Sequence, residues 1–140
     1  MKKCFVTLFF AILVIVVMPA TFVEAAYIYV PNFYNMASNK FELRIHFDGM
    51  EQKSLNGVKY TSWHYTVHDG KTYEYVDKYI RKINSKHAFH LVEQDNNSWY
   101  FAYTGGQAKY VKAFGGNFHV HVGMSGDSVV VNMVAGMYPE

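Results

Sequence analysis

Seven histidines are the residues of this chain best suited to chemistry: His46, His64, His68, His87, His90, His119 and His121. An imidazole ligates metals, carries a proton at physiological pH, or simply hydrogen-bonds. The tightest spacing is His119-Val120-His121. On a β-strand it sets two rings on one side, about 6.5–7 Å apart at the backbone. That suits two ligands of a tetrahedral zinc or a tetragonal copper. A third ligand would come from His64, His68 or His46 on a neighbouring strand, so the candidate metal set is His119, His121, His64 and His68. Met124 follows the pair and offers a thioether that copper accepts, although methionine also fills cores. Haem is a related reading, with His or Tyr as axial ligand, but the single cysteine, Cys4, excludes a paired-cysteine attachment. The plainer reading makes the histidines ordinary residues of a wet sheet face. A third reading makes them a pH sensor that charges near pH 5, because the reference pKa is about 6.5.

Catalytic motifs are scarce. Gly123-Met124-Ser125-Gly126-Asp127-Ser128 brings Ser125 close to Asp127 in sequence. It does not match the Gly-x-Ser-x-Gly elbow and has no strand-to-helix setting, so it reads as a polar hairpin loop. No His-Glu-x-x-His pair, phosphate-cradling glycine loop or dinucleotide fingerprint occurs. The acidic residues are dispersed, so no carboxylate pair can be nominated. Aromatic residues are the other candidate surface. Trp99, Phe101 and Tyr103 read as core, while Tyr100 turns the other way with Tyr110, beside Lys109 and Lys112.

The elements that position these side chains are legible from alternation and turn chemistry. Residues 41–47, 60–68, 87–93, 98–104, 107–114, 117–123 and 128–135 read as strands, and residues 27–30 as a short one stopped by Pro31. Asp48-Gly49, Asn56-Gly57, Asp69-Gly70, Asn96-Asn97 and Gly126-Asp127 read as turns between them. Alternation sets Trp63, Tyr65 and Val67 on one face, with Ser62, His64, Thr66 and His68 on the other. One segment breaks the pattern. Over residues 72–84, Tyr73, Val76, Ile80 and Ile83 recur at helical spacing, with Asp69 or Thr72 as the cap. The expected fold is α+β, an antiparallel β-meander sheet packed against a single amphipathic helix.

At 140 residues the chain suits one domain. Its 51% hydrophobic content excludes a largely disordered chain, and a net charge of +2 excludes a dedicated nucleic-acid binder. Residues 1–25 read as a secretory signal: Lys2 and Lys3, an apolar run from Cys4 to Met18, Pro19, then small residues before a cleavage between Ala25 and Ala26. An uncleaved membrane anchor is the alternative. Cleavage removes two of the 13 basic and one of the 11 acidic side chains, leaving +1 and no cysteine over residues 26–140. The sequence therefore points to an exported bacterial-type protein, periplasmic or extracellular, that binds a small ligand, peptide or protein and is not an enzyme. A metal- or haem-binding protein is the alternative. The C-terminal strand, Val129 to Val134, is a candidate for pairing between subunits if it lies at a sheet edge.

Overall fold

The computed structural model describes residues 28–104 and 118–140. β1 (Ile28–Val30) opens the described chain and gives way at Pro31 to two short 3-10 turns, Phe33–Met36 and Lys40–Glu42. β2 (Ile45–Leu55) and β3 (Val58–Val67) then form a hairpin. Its turn residues, Asn56 and Gly57, both have positive φ, 51° and 78°. That conformation matches the twist of the flanking strands and is why an Asn-Gly pair stands there.

The helix α1 (Thr72–Asn84) carries the chain from β3 to the far edge of the sheet. From that edge β4 (Phe89–Asp95), β5 (Ser98–Tyr103), β6 (Val120–Ser125) and β7 (Ser128–Val134) meander back. The resulting six-stranded antiparallel sheet has the order β2-β3-β7-β6-β5-β4, so β7 closes the sheet against β3. β8 (Met137–Pro139) ends the chain and lies parallel to β1 in a separate two-stranded ribbon. The expected α+β arrangement of one helix on an antiparallel meander is the observed one.

One sheet face and the helix make the main core. Tyr65 on β3 meets Phe33 edge-on at 5.2 Å, and Phe33 meets Tyr79 of α1 at 5.4 Å. The same face carries Val120, Val122, Val131 and Met133, all fully buried. Burying one such side chain contributes about 1.5–3 kcal/mol. The phenol of Tyr79 is buried too, and its hydroxyl donates to the Pro31 carbonyl at 2.7 Å, which satisfies both groups.

The structure departs from the sequence reading at several points. Residues 41–44 are not strand. Phe41 and Glu42 adopt positive φ, 57° and 54°, and the Asn39 side chain accepts from the Ile45 amide at 2.7 Å, so β2 starts there. Asp48-Gly49 is not a turn but a bulge within β2, where the register to β3 shifts between Phe47 and Gly49. The helical stripe is Tyr75, Val76, Tyr79, Ile80 and Ile83, while Tyr73 points to solvent. Lys71, not Thr72 or Asp69, is the N-cap residue, and Asp69 bonds its amide from outside the helix. Val129–Val134 lies between β3 and β6, not at an edge, so its backbone groups are already paired. The strand expected over residues 107–114 and the signal segment 1–25 lie outside the described residues. Among the described residues no helix is long and apolar enough to cross a membrane.

Candidate functional site

The second sheet face, away from α1, carries a row of polar side chains set opposite one another by register. Ser62 on β3 pairs with Asn132 on β7, Asn132 with His121 on β6, and His121 with Tyr100 on β5. Their side chains form one connected network. Ser62 Oγ donates to Asn132 Oδ1. The Asn132 amide nitrogen then donates to His121 Nδ1 at 2.9 Å. Nδ1 is thus an acceptor, so the neutral ring carries its proton on Nε2. Nε2 lies 3.2 Å from Ser98 Oγ and donates to it.

Two further residues fix the imidazole. Tyr100 stacks on it with ring centroids 4.8 Å apart and planes at 28°. Gly123 lies between the ring and Ser98, its own cross-strand partner. A Cβ at Gly123 would stand 3.1 Å from His121 Cε1 and 3.2 Å from Val130 Cγ1. A strand glycine therefore clears the path by which the ring reaches Ser98.

Burial sets the electrostatics. His121 is 7% exposed and its pKa is lowered to about 4 by desolvation, so the ring is uncharged at neutral pH. Ser62, Asn132 and Ser98 are uncharged as well, so the row is neutral throughout. A groove of about 630 Å³ lies over it, lined by Ser62, Ser98, His121 and Asn132, with Asn96, Asn97, Ser125 and Ser128 at one end. Asp48 and Lys53 of β2 and His64 of β3 line it as well. Lys53 Nζ is 3.4 Å from Glu51 Oε2, and His64 Nε2 is 3.4 Å from the same oxygen without hydrogen-bond geometry.

The four nominated metal ligands are distributed rather than gathered. His64 and His121 share this face, as alternation implies, but β7 separates them. His119 is buried just before β6, and its Nδ1 accepts from the Tyr103 amide at 2.8 Å. His68 is exposed beyond β3, its ring 6.1 Å from that of His46, which bonds Glu42 at 2.7 Å. Among the described residues no three His, Cys, Asp or Glu side chains gather closely enough to hold a metal ion. The Ser125 segment is the β6–β7 hairpin, with Gly126 at φ 57°.

This face is not the wet face that alternation suggests. His119 and His121 are both buried, His121 against the rings of Tyr100 and Phe118 and His119 against that of Tyr103. Asn132, Ser62, Ser98 and Gly123 were not among the nominated residues. Their signals were a lone polar residue inside Val129-Val130-Val131-Asn132-Met133-Val134, a serine on the histidine side of β3, and a glycine inside a strand. No protein-family model, characterised protein or solved structure matches this chain.

Proposed function

We propose that this is a small exported binding protein without catalytic activity, and that the groove over Ser62, Asn132, His121 and Ser98 takes a small, uncharged, polar ligand. The observation that carries this reading is the neutral hydrogen-bonded row beneath an open groove. Hydroxyl and amide groups already held in place recognise hydroxyls, amides and carbonyls of a ligand with little ordering cost. The row itself carries no fixed charge, and the groove's two charged lining residues, Asp48 and Lys53, are of opposite sign, so its net charge does not favour an ionic ligand. Catalysis is disfavoured by the same geometry. His121 is a weak base at about pKa 4 and turns its proton, not its lone pair, toward Ser98. Export rests on the sequence of residues 1–25.

The test is a thermal-shift screen of neutral monosaccharides, disaccharides, polyols and small amides, followed by calorimetry on any hit. Stoichiometric binding that is lost in Ser98→Ala and Asn132→Leu, with both variants still folded by circular dichroism, supports the proposal. Hydrolytic turnover abolished by Ser98→Ala would overturn it. So would stoichiometric zinc, copper or haem on protein purified without a histidine tag, which would favour the metal-binding alternative.

A further inference from the structure

β2 forms one edge of the six-stranded sheet, and its turn fixes which of its backbone groups face outward. In a two-residue hairpin the residues flanking the turn, here Leu55 and Val58, exchange hydrogen bonds. Alternation then directs Lys53 and Glu51 toward β3, and Met50, Gln52 and Ser54 away from it. A separate bond agrees. Lys59, which stands opposite Ser54, gives its carbonyl to the Ala135 amide on the other side, at 3.0 Å. The amides and carbonyls of Met50, Gln52 and Ser54 thus make an open ladder. Among the described residues no hydrogen bond reaches them, and all three residues are exposed.

Elsewhere at the sheet margins several amides are already taken. The Asn39 side chain takes the first amide of β2. On the opposite edge, the Phe89 amide bonds the Lys86 carbonyl and the Leu91 amide bonds the Asn84 side chain, each at 3.1 Å. An uncovered ladder is a template for another strand.

We propose that this stretch of β2 pairs, antiparallel, with the same stretch of a second copy of the chain, about a two-fold axis through Gln52. Charge selects that register. Centred on Gln52, Glu51 of each copy stands directly opposite the partner's Lys53, in the closely spaced, non-hydrogen-bonded position where side chains interact most. Moving the centre by one residue sets Glu51 against Glu51, or Lys53 against Lys53, and like charges directly opposite are unfavourable. Gln52 then exchanges both backbone bonds with its symmetry mate, and Met50 and Ser54 exchange with each other across the axis. An isologous interface of this kind closes on itself and does not propagate into fibres. The axis is perpendicular to the sheet, so both grooves open on the same side of one continuous sheet.

Sedimentation equilibrium of the purified protein tests the pairing. The expected result is a dimer whose dissociation constant rises about tenfold or more in Glu51→Lys and in Lys53→Glu, because symmetry spoils two pairs at once. The double variant Glu51→Lys/Lys53→Glu keeps opposite charges facing and restores the dimer. Gln52→Pro removes an outward N–H that the single copy does not use, so it leaves the fold intact and abolishes the dimer. A wild-type monomer at hundreds of micromolar would overturn the proposal. So would a dimer indifferent to Gln52→Pro, or single reversals that the double variant fails to rescue.

Discussion

His121 holds a stability switch whose sign follows from burial. Its pKa is near the reference of about 6.5 in the unfolded chain and about 4 in the fold, so the unfolded state takes the proton more readily. The stabilising contribution is complete above about pH 6.5 and is lost as pH falls toward 4. The difference amounts to about 3 kcal/mol. Urea titrations across that range are expected to show this loss in the wild type, and His121→Gln to remove that part of the slope. An unchanged slope in His121→Gln would show that the ring is not buried neutral. Alternation assigned this ring to the correct face. It could not reveal that the ring is buried, because Tyr100 and Phe118, which lie against it, are distant in sequence from one another and meet it through cross-strand register. The partners of His121 were hidden for the same reason: Asn132 is its neighbour by strand pairing, not by spacing.

Elements defined by local chemistry were legible. α1 begins and ends where the periodicity of residues 72–84 places it, because its apolar spacing switches from two to 3.6. Which tyrosine is inside was not legible, since Tyr73 and Tyr75 differ by only half a turn in a short stripe. A pair of truncations separates them. Ile83→Ala, at a fully buried position, is expected to cost about 2–5 kcal/mol. Tyr73→Ala, at 64% exposure, should stay within about 0.5 kcal/mol of wild type. Thermal and denaturant unfolding of the two variants reads the contrast, and equal losses would contradict the observed helix rotation. The start of β2 was obscured because alternation runs back unbroken through Phe41. Two residues in the left-handed region and one asparagine side chain stop the strand, and hydrophobic periodicity registers neither.

At the scale of the whole molecule the unreadable quantity was strand order. The β3–β7 pairing joins Tyr60 to Val134, and no local pattern encodes a contact of that span. It places Val129–Val134 in the interior and leaves β2 at an edge. β8 was equally invisible in three residues. It matters to stability, because Met137 is 2% exposed within the core beside fully buried Val30 and Phe33. A chain ending at Gly136 is expected to lose about 2–5 kcal/mol, the cost of emptying one buried methionine site. An unfolding midpoint unmoved by that truncation would make the ribbon dispensable.

The parallel sense of β1 and β8 has a mechanical corollary. Ile28 and Glu140 lie at opposite ends of the ribbon, and the Glu140 amide bonds the Val30 carbonyl at 2.7 Å. Tension drawn between those two residues runs along both strands, so it shears the ribbon's hydrogen bonds together instead of unzipping them in turn. The two-stranded ribbon is thereby the first of the described sheets to bear a pulling load.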